Sequence, residues 1–321
     1  MIRPIRLVAV ALAAACFAGS AFAIDYPTRP VKWVVPYTPA GTTDVLARIV
    51  AQYLSEKMGQ QFVVENKPGG GNNIGTEYVL RAAPDGYTML LVNPANGINQ
   101  TLYPNINFNI VTDMAPVAGI VRSPNVMEVT NNFPAKTVQE FIDYCKANPG
   151  KINMASSGSG TSVHMSGELF MMMTGCKMTH IPYKGAGPAL TDLIGGQVQV
   201  LFDNMPSSIG YIRGGSIRAL GVTTTERSPA LPNTPPVADT VKGYEASAWF
   251  GIGMPKGTPK EIIDKVNAQI QEMFKDQKMR DKLADLGGVP LTGTADDFGR
   301  VVKSEVEKWA KVVKASGAKV E

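Results

Sequence analysis

Apolar residues along the chain alternate between short continuous runs and stripes at helical spacing. The run 31–35 contains Trp33 among valines and predicts a buried strand, and the recurrence of apolar residues from Leu46 to Leu54 predicts the helix after it. The same alternation predicts strands at 62–65, 87–92, 152–155, 178–181, 198–202 and 217–222, and helices at 74–83, 162–173, 186–194 and 209–213. Strands separated by helices of this length favour right-handed crossovers and a parallel sheet. The pattern therefore predicts an α/β fold.

The alternation falls into two halves that are joined by extended segments. It restarts near Val126, and a capping box formed by Thr137 and Glu140 opens the next helix. The segments 115–129 and 246–254 are predicted to be extended and contain or adjoin prolines, so we expect them to cross between the halves. We therefore expect two lobes, each with a mainly parallel sheet flanked by helices. The predicted domains are 24–123 plus 250–321, and 124–249.

The last predicted helix carries an apolar stripe on one face and lysine and glutamate on the other. The stripe consists of Phe298, Val301, Val302, Val306, Trp309 and Val313. Such a stripe can bind a partner, but packing on a sheet is the favoured interpretation because surface helices of globular proteins are built in this way.

A corner with few bulky side chains follows the first predicted strand. It comprises residues 36–44, and we call it the first corner. The helix after it is predicted to begin at Asp44, so backbone N–H groups without helical partners are exposed there. The helix dipole adds positive potential at this end, which favours an anion. The first corner is therefore a candidate binding element.

A second corner, residues 155–161, lies between another predicted strand and the helix from Ser162. Its hydroxyl groups can donate hydrogen bonds to carboxylate oxygens, and its glycines let a ligand approach the main chain. A capped turn without a ligand is the alternative for either corner alone, but two such corners in two lobes favour binding. Further candidate loops at the carboxyl ends of strands, where ligands of open α/β sheets bind, are 93–96, 183–187 and 203–204. Asp203 could orient a ligand group or cap the following helix.

The first residues have the layout of an export signal. Two arginines precede an apolar run that is short for a membrane span, and small residues end at Ala23, so we expect cleavage before Ile24. Cleavage leaves 298 residues and lowers the formal net charge from +4 to +2, which disfavours binding of nucleic acid or membrane surfaces through charge. The remaining Cys145 and Cys176 are too few for a disulfide scaffold.

No catalytic motif accompanies the two corners. The chain lacks a P-loop, a complete dinucleotide fingerprint and a G-x-S-x-G nucleophile elbow. His164 and His180 are its only histidines, and neither lies at a metal-binding spacing with cysteines or carboxylates. We therefore predict no cofactor or metal. A Ser–His hydrolase that uses Ser157 or Ser159 with one of the histidines is the alternative function.

Several motifs, spread over essentially all of the mature chain, carry a family resemblance. They are Tyr26-Pro-Thr-Arg-Pro30, Pro39-Ala-Gly-Thr-Thr-Asp44, Val64-Glu-Asn-Lys-Pro-Gly-Gly70, Ala83-Pro-Asp-Gly-Tyr87, Ser156-Ser-Gly-Ser-Gly-Thr161 with His164, His180-Ile-Pro-Tyr-Lys-Gly185 and Gly195-Gly-Gln197. With these residues the chain resembles the substrate-binding proteins of tripartite tricarboxylate transporters, the Bug or TctC-like family. The resemblance implies a type II periplasmic binding protein fold whose two lobes close on a small organic acid.

The resemblance also implies a function. We expect a periplasmic receptor, not an enzyme, that captures a di- or tricarboxylate or an aromatic acid and delivers it to membrane transporter subunits. We expect a monomer that does not bind nucleic acid. A regulatory receptor that docks on a sensor domain would share every one of these sequence features, and it stays an alternative.

The family's ligand-binding residues can be placed on this sequence. The resemblance implies that one carboxylate is held at 38–43, partly through ordered water, and the opposite end of the acid at 156–161, while Asp44 can contact a ligand amino group. The predicted binding residues are Tyr37, Thr38, Ala40, Gly41, Thr42, Thr43, Asp44, Asn93, Ala95, Ser156, Ser157, Gly158, Gly160, Thr161, His164, Tyr183 and Asp203. The first corner departs from the family's usual run of glycines at Ala40 and Thr42, whose side chains could narrow the pocket or add a hydroxyl.

Overall fold

The computed structural model describes residues 24–316 and Val320. The predicted export signal lies outside these residues. Within them, no helix is both long and apolar enough to cross a bilayer.

Strands and helices alternate along the described chain. The strands are β1 (Val31–Val35), β2 (Phe62–Asn66), β3 (Thr88–Val92), β4 (Met114–Thr130), β5 (Asn153–Ser156), β6 (Thr179–Pro182), β7 (Val200–Asn204), β8 (Ile217–Val222), β9 (Ser247–Pro255) and β10 (Val289–Pro290). The helices are α1 (Thr42–Met58), α2 (Asn73–Leu80), α3 (Pro94–Leu102), α4 (Ile110–Asp113), α5 (Val138–Ala147), α6 (Ser162–Thr174), α7 (Ala186–Ile194), α8 (Met205–Arg213), α9 (Lys260–Met273), α10 (Gln277–Asp285) and α11 (Ala295–Ser316). Short 3₁₀ turns lie at Gly70–Asn72 and Val237–Asp239.

The strands form a mixed sheet in the order β2-β1-β3-β9-β4-β7-β5-β6, with β10 and β8 added to β4. β1 pairs in parallel with β2 and β3, and β5 pairs in parallel with β6 and β7. The predicted α/β class with flanking helices is confirmed. Pairing is antiparallel where β4 and β9 join their neighbours, because these two strands are the extended segments that run between the lobes.

Strand β4 takes part in both lobes. It pairs with β9 as far as Pro124, and from Asn125 onward it pairs with β7 and β8. We call β1–β3, β9, β10 and the first part of β4 the first lobe, and β5–β8 with the last part of β4 the second lobe, each with its packed helices. The domain boundaries given above stay a prediction, since strand pairing alone does not define folding units.

The core of the first lobe covers both faces of its sheet. In β1, Val31 and Trp33 pack on the side of α1 and α9, whereas Val34 packs on the side of α11, as the alternation of strand side chains requires. On that second side, Phe298 of α11 meets Trp249 of β9 with ring centroids 5.8 Å apart. The apolar stripe of the last helix is therefore core packing.

The core of the second lobe contains the two cysteines. Cys145 and Cys176 are buried free thiols in a cluster that includes Phe141, Phe170 and Phe202. Aromatic and aliphatic packing thus forms this core, as the low cysteine content predicts.

Helix α3 differs from the prediction, which placed a loop at 93–96. Its polar sequence suggests a loop, but the polar side chains are buried and bonded: Asn96 Nδ2 donates to Thr76 Oγ1 at 2.8 Å and Asn99 Nδ2 to the Gly71 carbonyl at 2.8 Å. Asn93 caps the helix by accepting from the Ala95 N–H. Tertiary hydrogen bonds therefore stabilise a helix that has little apolar periodicity.

Candidate functional site

A small cavity lies where the two lobes meet. It is lined by Tyr37, Gly41, Thr42, Thr43, Asn93, Pro94, Ser157, Thr161, Ser162, Val163, Ala186, Asn204 and Phe250. None of these described lining residues carries a charge, but most offer a hydroxyl, an amide or an N–H group. The volume accessible to water is about 20 Å³, which is room for about one water molecule. The lobes are thus closed on each other.

Five helices begin at the cavity. Their first or capping residues, Thr42 of α1, Asn93 of α3, Thr161 of α6, Ala186 of α7 and Asn204 of α8, all line it. First-turn N–H groups have no partner within their own helix, and each helix start carries the positive end of the dipole. These helix starts therefore contribute positive potential to the cavity without a charged lining side chain.

Hydrogen bonds to the Asp44 carboxylate fix the conformation of the first corner. Ala40 has a left-handed φ of 68°, and its N–H donates to Asp44 Oδ2 at 3.1 Å. The same carboxylate accepts from Arg48 and from Asn66 Nδ2. Burial raises the pKa of Asp44, but the bonds from Arg48, Ala40 and Asn66 outweigh it and lower this pKa below its ordinary value. Asp44 is therefore a carboxylate that positions the corner, with its oxygens directed away from the cavity.

Tyr37 and Asn93 supply polar groups from the first lobe. The Tyr37 hydroxyl donates to Asn93 Oδ1 at 3.1 Å, and the Ala95 N–H donates to the same oxygen at 3.1 Å. Burial raises the pKa of Tyr37, so it stays a neutral hydroxyl. Asn93 Nδ2 is buried without a partner in the described part of the chain, and it remains available to a hydrogen-bond acceptor.

The second corner uses most of its polar groups internally. Gly158 N–H donates to Ser156 Oγ at 3.1 Å, and Gly160 N–H donates to His164 Nδ1 at 3.2 Å. Thr161 Oγ1 donates to the Gly158 carbonyl at 2.8 Å and accepts from the His164 N–H. These bonds fix the turn and leave Ser157 and Thr161 facing the cavity.

The two histidines lie behind the second corner. Their rings stack with centroids 3.9 Å apart, and His164 Nε2 lies 3.3 Å from Glu168 Oε1. His180 Nε2 lies 2.6 Å from Ser156 Oγ, and burial together with His164 lowers the pKa of His180 to about 3. Ser156 is fully buried and does not line the cavity. The serine that contacts a histidine is thus neither Ser157 nor Ser159, so this arrangement does not favour a hydrolase.

Among the predicted binding residues, the structure separates those that line the cavity from those behind it. The lining ones are Tyr37, Gly41, Thr42, Thr43, Asn93, Ser157 and Thr161. Those that lie outside the lining are Thr38, Ala40, Asp44, Ala95, Ser156, Gly158, Gly160, His164, Tyr183 and Asp203. Tyr183, for example, directs its hydroxyl to Asp192 Oδ2 at 2.5 Å.

Other lining residues were absent from the predicted binding residues, although three of them lie in the candidate loops 93–96, 183–187 and 203–204. They are Pro94, Ser162, Val163, Ala186, Asn204 and Phe250. Asp203 and Asn204 are consecutive residues at the end of β7, so their side chains point to opposite faces of the strand. Asn204 lines the cavity, and Asp203 lies outside the lining. The start of α6 could have been found by extending the helix-terminus argument to every predicted helix, and Ala186 at the start of α7 lies in the candidate loop 183–187. Phe250 has no local signal, because β9 brings it from a distant part of the chain.

Periplasmic solute-binding proteins share this arrangement, an α/β fold whose two lobes meet around a polar cavity. A family model described as the tripartite tricarboxylate transporter family receptor matches residues 46–318. The chain therefore belongs to this family of solute-binding receptors, as its motifs predict.

Individual relatives agree with this placement. The protein BugT of Bordetella pertussis is 35% identical over 325 residues, which cover 100% of this chain and 99% of BugT. The solved structure of R. palustris Rpa4515 with adipate is 39% identical with a TM-score of 0.90, covering 92% of this chain and 100% of that one. MatC from Rhodopseudomonas palustris with bound malate is 30% identical with a TM-score of 0.85, covering 90% and 100%.

Proposed function

We propose that this protein captures a small organic carboxylate between its lobes and delivers it to a membrane transporter of the tripartite tricarboxylate type. The observation that carries the proposal is the convergence of five helix N-termini on a cavity whose described lining has no charged side chain. Such helix termini favour an anion through first-turn N–H groups that have no partner within the helix and through aligned dipoles. An ionised carboxylate, which only accepts hydrogen bonds, matches this set of donors.

The arrangement of donors supports an acid with two polar ends. Tyr37, Thr43 and Asn93 lie on the first lobe, and Ser157 and Thr161 lie opposite them on the second. One carboxylate would accept from Thr43 and from Asn93 Nδ2 on the first lobe and the other from Ser157 on the second, so that binding stabilises closure. The Tyr37 and Thr161 hydroxyls already donate to Asn93 Oδ1 and to the Gly158 carbonyl and contribute through shape and polarity. The adipate of Rpa4515 and the malate of MatC support an aliphatic dicarboxylate as the first candidate. A tricarboxylate or an aromatic acid would use the same donors.

The size of the closed cavity sets a condition on binding. A dicarboxylate is much larger than the space of about 20 Å³ found here. The lobes must therefore stand farther apart around the bound acid than in this closed form. Hinge motion about the two segments that join the lobes, β4 and β9, supplies this change.

A thermal-shift screen tests the function. The set should contain succinate, adipate, malate, citrate and benzoate, together with adipamide and neutral sugars as uncharged controls. At a ligand concentration about 100 times Kd, we expect a carboxylate to raise Tm by about 5 °C. A sugar or adipamide that raises Tm while every acid fails would overturn the proposal.

The export route is the remaining part of the proposal. The family is one of periplasmic receptors, and we propose that this chain reaches the periplasm through the signal that ends at Ala23. Sequencing of the N-terminus of the exported protein should begin at Ile24. Co-purification with a membrane transporter subunit supports delivery, whereas co-purification with a sensor domain alone favours the regulatory alternative.

A further inference from the structure

The first residue of α1 hydrogen-bonds directly to the opposite lobe. Thr42 Oγ1 lies 2.8 Å from Ser207 Oγ and 3.3 Å from the Asn204 carbonyl oxygen, and it accepts from the Ser207 N–H at 3.1 Å. Thr42 belongs to the first lobe, whereas Ser207 lies in the first turn of α8 in the second. Both side chains are buried, with 3% and 8% of their surface exposed. The contact therefore joins the lobes through buried polar groups.

The neighbouring Asp203 determines which of the two hydroxyls donates the hydrogen bond in this contact. Ser207 Oγ also lies within hydrogen-bond distance of Asp203 Oδ2. A carboxylate oxygen can only accept, so the Ser207 hydroxyl donates to Asp203 and keeps its lone pairs for the Thr42 hydroxyl. Thr42 thus donates to the second lobe and accepts from the Ser207 N–H at the same time. We call the chain of Thr42, Ser207 and Asp203 the latch.

A second carboxyl group supports the buried end of the latch. Ser208 Oγ lies 3.0 Å from Asp203 Oδ2 and 2.9 Å from Glu128 Oε1. The single hydroxyl hydrogen of Ser208 cannot be donated to both carboxyls, so one of them must donate a proton of its own. Burial and the charge of Asp203 raise the pKa of Glu128 well above its ordinary value, which identifies Glu128 as the protonated one. Asp203 then accepts two hydroxyl hydrogens, from Ser207 and Ser208.

We propose that the latch holds the lobes closed, and that Thr42 and Ser207 are positioning residues that set ligand affinity through the closing equilibrium. When the lobes separate, water solvates the Thr42 hydroxyl and the Ser207 N–H, so the bonds between Thr42 and Ser207 exist only in the closed form. Other contacts at the same seam use main-chain acceptors: Thr38 N–H donates to the Lys184 carbonyl at 3.2 Å and the Tyr103 hydroxyl to the Ser159 carbonyl at 3.1 Å. The latch differs from these contacts because both of its partners across the seam have side-chain hydroxyls, so it can be tested by substitution on either lobe.

This inference rests on the proposed receptor function for its effect on affinity, but closing itself can be measured without a ligand. Small-angle X-ray scattering of the ligand-free protein gives the radius of gyration, which increases when the lobes separate. Thr42→Val keeps the shape of the side chain and removes the hydroxyl. It leaves the buried Ser207 N–H unpaired only in the closed form, so we expect the ratio of closed to open molecules to fall about tenfold.

Three further variants sharpen the test. Ser207→Ala breaks only the bond between the two hydroxyls, so it should expand the protein less than Thr42→Val does. Thr42→Ser, which keeps the hydroxyl, should recover most of the closed population. Thr191→Val is the matched control, because it removes a hydroxyl from an exposed part of α7. The double variant Thr42→Val with Ser207→Ala should be no more expanded than Thr42→Val alone, because Thr42→Val already breaks the one inter-lobe bond that Ser207→Ala removes. Circular dichroism verifies folding, and Ser207→Ala carries the test if Thr42→Val does not fold.

Two results would overturn the latch. One is a wild-type radius of gyration as large as that of Thr42→Val, and the other is a double variant whose effect is the product of the two single effects. If adipate binds between lobes that stand farther apart, the latched form competes with binding, so the Kd of adipate should fall when the latch is broken, by at most the factor by which the closing ratio falls. If no carboxylate binds but the scattering results hold, the latch stands and the proposed ligand class fails.

Discussion

Ser157 and Ser159 have the same side chain and lie two residues apart, but only Ser157 lines the cavity. The intervening Gly158 has a φ of 127°, which side chains rarely adopt, and it turns the chain between them. Both serines are buried, with 9% and 7% of their surface exposed. Ser157 is thus a position at which a ligand contact can be tested, and Ser159 in the same corner is its matched control.

Ser157→Ala is expected to weaken carboxylate binding about tenfold or more, because a hydrogen bond to a charged acceptor contributes about 1.5–3 kcal/mol. Ser159→Ala, in the same corner but outside the cavity, should leave Kd within about threefold. Isothermal titration calorimetry on both variants measures the difference. Equal losses of affinity in the two variants would show that the corner acts only through its fold.

Thr42 shows how one residue can have a role that its position does not reveal. It was predicted as a ligand contact because it lies in the first corner, and it does line the cavity. Its hydroxyl is nevertheless bonded to α8 across the seam. A linear sequence cannot show this, because the partner residue is 165 positions away.

At the scale of elements, the second corner depends on His164 as an acceptor. His164 Nδ1 receives the Gly160 N–H, and Thr161 caps the same helix. His164→Leu leaves a buried N–H unpaired and should lower the free energy of unfolding by about 1–3 kcal/mol. His164→Asn places an amide oxygen near the former Nδ1 position and should recover part of the loss.

Chemical denaturation of the two His164 variants measures this effect, and hydrogen exchange at the Gly160 amide locates it. We expect faster exchange in His164→Leu than in His164→Asn. Unchanged protection of Gly160 in His164→Leu would contradict the role given to the histidine.

Elements with local signals could be predicted from the sequence, and those that depend on distant partners could not. The run 31–35, the first corner and helix α1 follow one another in a pattern of apolar residues, glycine and helical spacing, and the structure places them accordingly. The helix begins at Thr42 rather than at the predicted Asp44. Asp44 lies within the first turn, where its side chain accepts from the Ala40 N–H. Helix α3 was missed because Asn96 and Asn99 are buried by bonds to Thr76 and Gly71.

The candidate site could be predicted as two corners but not as a complete lining. Ser157 and Thr161 lie in segments rich in glycine and hydroxyl groups, so composition indicates them. Ala186 and Phe250 enter the cavity through packing of α7 and β9, and neither residue type suggests a ligand contact. Seven predicted residues line the cavity, and the others lie outside its lining. A prediction made for whole segments cannot assign the direction of each side chain, so it could not separate the two groups.

At the scale of the whole molecule, two buried carboxyl groups make stability depend on pH. Burial raises the pKa of Asp203 to about 6, and the pKa of its neighbour Glu128 is raised as well. The folded chain therefore keeps the Asp203 proton at pH values where the unfolded chain has released it. This contribution is fully present below about pH 4 and is lost as the pH rises to about 6. Asp44, whose pKa is lowered, contributes in the opposite direction at acidic pH.

Comparison with Asp203→Asn isolates the effect. From pH 4 to pH 7, the free energy of unfolding of the wild type should fall relative to that of the variant by about 3 kcal/mol, which corresponds to about two pKa units. Urea denaturation at several pH values measures both. A difference between the two proteins that stays constant with pH would contradict the raised pKa.

The contacts of the closed form also affect the ligand affinity of the receptor. Direct contacts across the seam and a cavity of about 20 Å³ indicate that the lobes can meet without a full-sized ligand between them. Ligand affinity then depends on the difference between the closed forms with and without the acid, as well as on the donors in the cavity. Residues of the seam therefore tune the affinity of a site that they do not all contact.

Isothermal titration of the wild-type protein with adipate and with adipamide tests the central claim most directly. The two compounds share a chain length, and only adipate carries charged ends. A receptor whose helix N-termini bind carboxylates should bind adipate, or another dicarboxylate from the screen, at least about a hundredfold more tightly than the matching diamide. Equal affinities, or preference for the diamide, would contradict the account.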